Sequence, residues 1–449
     1  MDNIKLLLEK QRTAFQEGLF RAPARRQEAL NALFQAVKRH ETEIAKALYR
    51  DLGKCEFEAR ATEISVLLDE IVLLKRKLKT FAKPRRVPTS LLNFPSKGLI
   101  YPEPYGNTLI FSAWNYPFQL MLMPLIGAVA AGNTVIAKPA EQAPATAAVL
   151  EKILSEAFTP EHVAVVQGGR ETACELLQER FDYIFYTGGP GGGKAVLKAA
   201  AEFMTPVTLE LGGKSPCIVD ADARLDLAAR RIVWGKFLNA GQTCVAPDYI
   251  LVHQSLREPL LERLNYYINR FYGADPSKSP DYPRIINESH FDRLLKLYPK
   301  ADADREIRYI APTVIADATP DAPVMTDEIF GPLLPVLAVQ DLDEAIRFIN
   351  GRPKPLALYY FGTSGRKRVL AETSSGGACI NETVSHLINP SMPFGGVGPS
   401  GMGAYHGKWS FETFTHYKSV MEKSTGIDLP MRYPPNLSGK LKILKLLSR

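Results

Sequence analysis

Along the first 80 or so residues, apolar positions recur with helical spacing. Leu30, Leu33, Phe34 and Val37 share one face, the pattern runs on through Ile44 and Leu48, and Gly53 stops it. Between about Lys83 and Pro104, prolines, basic residues and short apolar runs predict an extended hairpin or arm. From Thr108 the pattern changes again. Short apolar runs (108–113, 134–137, 163–166, 183–186 and 207–211) alternate with segments long enough for helices. Runs this apolar fit strands buried on both faces, and their alternation with helices predicts a parallel sheet. A second series follows at 217–219, 249–252, 334–339 and 356–361, with helical patterns over 225–238 and 345–350. Two α/β lobes are expected, with a boundary near Glu210 to Lys214. No internal repeat or low-complexity tract is evident.

Length agrees with this division, since 449 residues exceed what one hydrophobic core organises. With 46% apolar and 23% charged residues the composition is that of a globular protein. No run of 18 uncharged apolar residues occurs, so no membrane-spanning helix is expected. The start, Met1-Asp2-Asn3-Ile4-Lys5, lacks the pattern of a signal peptide, and a cytoplasmic location is the expectation. The five cysteines are odd in number, widely spaced and without a Cys-x-x-Cys pair. Neither a disulfide framework nor a metal site is expected; one cysteine can be a nucleophile and the others buried filler. The net charge of +7 comes from scattered basic residues without a nucleic-acid-binding signature, so no nucleic-acid partner is expected. Part of the excess lies in the tail, Gly439-Lys-Leu-Lys-Ile-Leu-Lys-Leu-Leu-Ser-Arg449. It reads either as an apolar strip docked on protein or as a peripheral membrane-surface segment.

Three segments carry candidate chemistry. In Phe237-Leu-Asn-Ala-Gly-Gln-Thr-Cys244-Val-Ala-Pro-Asp248, small residues after a helix can leave the Cys244 sulfur exposed and its backbone N–H free. In Leu209-Glu210-Leu211-Gly212-Gly213, a glutamate closing a strand can project into a cleft where partial burial raises its pKa; the plainer reading is a surface carboxylate before a turn. In Trp114-Asn115-Tyr116-Pro117, the Asn115 amide can help form an oxyanion hole or simply cap a helix. Alone, each segment is ambiguous.

Taken together with Lys138-Pro-Ala-Glu141 and Glu328-Ile-Phe330-Gly-Pro332, these segments occur in the order found in aldehyde dehydrogenases, and over nearly the whole chain the sequence resembles that superfamily. Cys244-Val-Ala-Pro-Asp-Tyr249, the run His406-Gly-Lys-Trp-Ser-Phe-Glu-Thr-Phe-Thr-His416 and Arg432-Tyr-Pro-Pro435 resemble its class 3 branch, which includes fatty and aromatic aldehyde enzymes. The resemblance implies an α/β fold with a Rossmann-like cofactor lobe (1–82 and 105–209) and a catalytic lobe (210–408). A small β oligomerisation arm with the C-terminal tail (83–104 and 409–449) completes it and implies a homodimer. It also implies the chemistry: an aldehyde attacked by Cys244, an oxyanion held by Asn115 and the Cys244 N–H, and a Cys244 thioester hydrolysed through Glu210.

Cofactor contacts are implied in the same way. Tyr186-Thr-Gly188-Gly189-Pro-Gly-Gly-Gly193-Lys194 places glycines before a helix, which suits phosphate. Relatives carry serine where this chain has Gly189, which removes a hydroxyl from the pyrophosphate contact. Lys138 and Glu141 match adenosine-ribose positions, and a carboxylate there favours NAD while NADP stays open. Trp114, Leu211, Gly212, Glu328 and Phe330 complete the cofactor set, the last two on the nicotinamide side. Tyr116, Thr243, Met392 and Phe394 are the expected aldehyde tunnel, whose apolar lining suits medium- or long-chain aliphatic or aromatic aldehydes. Between Arg293 and Tyr309 the chain runs several residues short of its relatives, as expected of a trimmed surface loop. Two other readings compete: a cofactor-independent cysteine esterase or thioesterase, which has no use for Lys138, Glu141 and Glu328, and a non-catalytic binding protein.

Overall fold

The computed structural model describes residues 2–90, 93–430, 433–436 and 438–447. Helices α1 (Asp2–Gln16), α2 (Pro23–Arg39), α3 (Glu41–Leu52), the short α4 (Glu56–Ala59) and α5 (Ser65–Phe81) open the chain. The helical pattern through Leu30 and Leu48 is two helices, parted at His40, and Gly53 closes the second in a left-handed conformation (φ 69°) that glycine adopts without strain. The expected arm is an antiparallel hairpin of β1 (Arg85–Val87) and β2 (Ser96–Pro104).

β3 (Asn107–Phe111), β4 (Thr134–Lys138), β5 (Val163–Val165), β6 (Tyr183–Thr187) and β7 (Val207–Glu210) match the first apolar series closely. They alternate with α6 (Pro117–Ala131), α7 (Pro144–Ala157), α8 (Arg170–Leu177) and α9 (Pro190–Phe203). Every residue of α6 is buried, as expected of a helix apolar on all sides and packed inside the molecule. The second series gives β8 (Pro216–Val219), α10 (Leu225–Phe237), β9 (Tyr249–His253), α11 (Arg257–Tyr272) and α12 (Glu288–Leu297). A small hairpin of β10 (Ala303–Asp304) and β11 (Tyr309–Ile310) occupies the shortened region. Then come β12 (Thr313–Ile315), β13 (Leu333–Val339), α13 (Leu342–Asn350), β14 (Ala357–Phe361), α14 (Arg366–Glu372), β15 (Gly377–Ile380), β16 (Gly401–Met402), α15 (Lys408–Thr413), β17 (Thr415–Lys423) and α16 (Ser438–Leu447).

These strands form two six-stranded sheets, ordered β16-β7-β6-β3-β4-β5 and β12-β13-β9-β8-β14-β15. All pairings in them are parallel except β16 against β7, which brings residues 401–402 back onto the first sheet. The arm gains β17 along the whole of β2, Thr415 opposite Pro104 through Lys423 opposite Ser96. Among the described residues, no helix is long and apolar enough to cross a membrane. In the tail, Lys440 Nζ donates to the carbonyls of Pro430, Tyr433 and Pro435 at 3.2, 2.7 and 2.9 Å. Arg432 of the class 3 motif and Ser448 and Arg449 of the tail lie outside the described residues, as do the side chains of Ile443, Leu444, Leu446 and Leu447, which make up most of the expected apolar strip. The expectation that the other cysteines are buried filler needs correction. Cys217 and Cys379 are buried, but Cys174 is exposed, and half-buried Cys55 caps α4 by accepting from Glu58 N at 3.4 Å.

Candidate active site

A cavity of about 860 Å³ lies at the carboxyl ends of β3, β4, β6 and β7, where parallel α/β sheets bind ligands. Its far wall comes from the second half of the chain. Cys244, Glu210 and Asn115 all line it, together with Trp114, Lys138, Glu141, Gly188, Gly189, Leu211, Gly212, Glu328 and Phe330. These residues come from six separate segments that converge on one space.

The approach to Cys244 is unusual backbone. Asn239, Ala240 and Gly241 follow one another with φ of 52°, 51° and 75°, a left-handed turn that costs about 1–2 kcal/mol for each of the two non-glycine residues. Polar partners hold it. Asn239 N donates to Glu58 Oε1 at 2.9 Å, and Asn239 Nδ2 donates to Asn115 O at 2.8 Å and to Gln242 O at 3.1 Å. Gln242 in turn donates to Arg284 O and accepts from Ile286 N, both at 3.0 Å. The half-buried Cys244 thiol is reached from the cavity yet enclosed elsewhere. Burial and the nearby Glu328 and Glu210 carboxyls raise its pKa, against which the backbone N–H groups of Cys244 and Val245 act.

Asn115 does not cap α6; that helix has Tyr116 at its N-cap and no side-chain cap bond. The Asn115 side chain is buried and its Nδ2 donates to Gln242 O at 3.0 Å, which leaves the second N–H of the amide for another acceptor. Glu210 ends β7 with only 2% of its surface exposed, so the surface-carboxylate reading fails. Among the described residues neither of its carboxylate oxygens has a hydrogen-bond partner, and burial pushes its pKa well above the usual range.

At the cofactor-type end, α9 begins at Gly189 without a side-chain cap. A Cβ on Gly189 would meet nothing within 4 Å, so the serine of relatives fits here and its absence leaves space. Gly188 is tight, because a Cβ would strike the Tyr186 hydroxyl. Gly193 does not line the cavity; a Cβ there would come within 2.9 Å of Leu211, so its place is helix-to-strand packing. Glu328 packs against Gly212, where any Cβ would collide with its carboxylate, and burial together with Asp248 pushes its pKa up to about 8. Phe330 has a positive φ of 52°. His290 Nε2 donates to its carbonyl at 2.7 Å, and the rings of Trp114 and Phe330 meet edge-on at 5.2 Å between centroids. Lys138 Nζ lies 3.8 Å from Glu141 Oε2.

The four tunnel candidates do not line this cavity. Tyr116 and Thr243 are buried and share a 2.7 Å hydroxyl–hydroxyl hydrogen bond beside the catalytic candidates. Phe394 is buried against His406 and Tyr405, and Met392 is 45% exposed at the surface. Conversely, the reading of the residues misses His290, Arg293 and Lys214, all of which line the cavity. Lys214 adjoins the Glu210-Leu-Gly-Gly213 segment and was within reach of motif reasoning. It donates to Asp248 Oδ2 at 2.8 Å and to Val324 O at 2.7 Å. His290 and Arg293 lie on α12, with no local signal.

A tethered thiol, a buried carboxyl and an amide donor at one end of a cavity, and an uncapped helix N-terminus at the other, equip the site for covalent chemistry on a small molecule beside a nucleotide. The chain belongs to the aldehyde dehydrogenase family, whose family model matches residues 2–420. Its reaction is the NAD- or NADP-dependent oxidation of an aldehyde to a carboxylic acid. Within the family it stands with the class 3 branch. It is 49% identical over 430 residues to the 4,4'-diaponeurosporen-aldehyde dehydrogenase of Staphylococcus aureus, covering 94% of each chain. It is 46% identical to mouse aldehyde dehydrogenase family 3 member A2, covering 97% of this chain and 92% of the relative. A solved substrate-bound state of Staphylococcus aureus AldH superposes with a TM-score of 0.97 at 46% identity, covering 99% of both chains. Nothing in these findings favours a cofactor-independent hydrolase or a binding protein.

Proposed function

We propose that Cys244 is the nucleophile, Asn115 with the Cys244 N–H the oxyanion donors, and Glu210 the base that hydrolyses a Cys244 thioester. The observation that carries this is the convergence of the three side chains on one cavity beside the glycine-rich start of α9. The Cys244 sulfur, as thiolate, attacks the aldehyde carbon and forms a thiohemiacetal whose oxygen is negative. The free N–H of the Asn115 amide and a backbone N–H stabilise that oxygen; loss of one such donor costs about 100- to 1000-fold in rate. When bound, the nicotinamide supplies the acceptor for the hydride that leaves this carbon. Glu210 then takes a proton from water attacking the thioester, and the same donors hold the second oxyanion. Because burial favours its protonated form, Glu210 is a base only once water reaches its unpartnered oxygens, so deacylation rises with pH.

The cavity's residues fit a dinucleotide. The first turn of α9 has backbone N–H groups free for pyrophosphate beside the open space at Gly189, Lys138 and Glu141 suit the adenosine ribose, and Glu328 and Phe330 suit the nicotinamide side. Trp114, Leu211 and Gly212 line the space between. The Glu141 carboxylate disfavours a 2′-phosphate, which makes NAD the preferred cofactor. Residues 1–82 and 105–209 form the cofactor lobe and 210–408 the catalytic lobe in this reading. Segments 83–104 and 409–449 form the arm, whose exposed strand β17 suits a second copy of the chain in a homodimer. The likeness to the class 3 branch, and to a 4,4'-diaponeurosporen-aldehyde dehydrogenase, supports medium- or long-chain aliphatic or aromatic aldehydes as substrates. In this reading the tail docks on protein in a cytoplasmic enzyme, and Lys440, which donates to the carbonyls of Pro430, Tyr433 and Pro435, holds it back on the tail's own preceding segment. Measuring NADH and NADPH formation across aldehydes of graded chain length tests the reading. Cofactor-free ester hydrolysis without any reduced nucleotide would overturn it.

A further inference from the structure

Behind the oxyanion-donor turn lies a charged pair that none of the chemistry above uses. Lys54, just after α3, and Glu63, just before α5, have completely buried side chains with Nζ and Oε1 2.6 Å apart. The lysine also donates to the backbone carbonyl of Asn115 at 2.9 Å and lies 3.8 Å above the Tyr116 ring. The second oxygen of Glu63 accepts from Phe118 N at 2.9 Å and Gln119 N at 3.2 Å, supplying the cap that α6 otherwise lacks. One ion pair therefore grips the chain at the Asn115 carbonyl and again at the start of α6 three to four residues later. From the opposite side, Asn239 donates to the same Asn115 carbonyl at 2.8 Å.

Removing two charges from water is expensive, and apolar residues of similar volume often fill such a place at no loss of stability. The contacts here point to a geometric role instead. The Asn115–Tyr116 peptide cannot rotate without breaking both hydrogen bonds to its carbonyl, and its orientation fixes where the Asn115 Cβ and amide point.

We propose that Lys54 and Glu63 are positioning residues for the oxyanion hole, which hold the Asn115 amide on the reacting oxygen without touching substrate or cofactor. This rests on the assignment of Asn115 as an oxyanion donor. A misplacement of about 1 Å in such a group lowers the rate about 100-fold, so loss of the pair is expected to slow acylation about 10- to 100-fold.

The test is a thermodynamic cycle on the full-length enzyme, with the pre-steady-state rate of NADH formation as readout. The Lys54→Met/Glu63→Gln variant removes both charges of the pair together, and it is measured in the wild-type and Asn115→Ala backgrounds. A pair acting through Asn115 slows the burst in the first background, adds no further loss in the second, and leaves the NAD dissociation constant within about twofold. Equal losses in both backgrounds, no loss in either, or parallel weakening of NAD binding overturn the proposal. If the double variant does not fold, Glu63→Gln alone enters the same cycle under the same criteria. An unchanged burst in Asn115→Ala alone would remove the oxyanion assignment and the proposal with it, whereas an effect there combined with additive losses removes only the proposal.

Discussion

Replacing Glu210 by Gln keeps the shape of a side chain that is 98% buried but takes away its ability to accept a proton. The two half-reactions then separate. Acylation needs the thiol and the oxyanion donors, so a burst of one NADH per active site survives. Deacylation loses its base, and steady-state turnover falls about 100- to 10,000-fold, the usual contribution of a positioned general base. The structure adds a second, independent consequence. Burial raises the folded-state pKa of Glu210 above its unfolded value, so the stability linked to its proton is complete below about pH 4 and is lost as pH rises toward the folded pKa. Within that window the loss is about 1.4 kcal/mol per pH unit. Glutamine has no such loss, so the variant should melt progressively higher relative to wild type as pH rises from about 5 toward the folded pKa of Glu210. Stopped-flow NADH fluorescence and thermal unfolding across pH measure the two effects. A burst that disappears in step with turnover refutes the role, and a melting difference independent of pH refutes the account of a buried, unpartnered carboxyl.

Three further outcomes follow from the same geometry. Asn115→Ala should slow the burst about 100- to 1000-fold with little change in NAD affinity by calorimetry, and a normal burst would contradict the assignment. Gly189→Ser should tighten NAD binding and raise stability by a few tenths of a kcal/mol, because the Cβ meets open space at the uncapped start of α9; weaker binding would show that the space serves another purpose. Site-resolved alkylation by iodoacetamide should climb about tenfold per pH unit at Cys244 from pH 7 to 9, since burial and two nearby carboxyls raise its pKa, and a plateau below pH 8 would contradict this.

Most of the two sheets was legible because parallel strands buried on both faces leave apolar runs that few other structures produce. Val207–Glu210 and Ala357–Phe361 are examples. β17 left no such trace: it is an edge strand with His416, Lys418 and Glu422 on it, and its nine residues read as polar chain. β15 hides in Gly376-Gly377-Ala-Cys379, where small residues look like a loop. The catalytic candidates were legible as ordered motifs, since their chemistry is tied to particular side chains. Their supports were not. Arg293 and His290 sit on an amphipathic helix like many others, and Lys54 and Glu63, nine residues apart and part of no motif, become a pair only when the fold buries them. The tunnel candidates were chosen by adjacency in sequence, and adjacency does not say which way a side chain faces; Tyr116 and Thr243 turn toward each other.

In the proposed cycle the sulfur of Cys244 carries the acyl group between oxidation and hydrolysis. Mixing the Glu210→Gln enzyme with a long-chain aldehyde and NAD, quenching in acid and mapping the peptides by mass spectrometry reads that state directly. The predicted result is the acyl mass on the peptide containing Cys244, close to one per chain, and absent without NAD. NADH released while that peptide stays unmodified, or the acyl group on another cysteine, would contradict it.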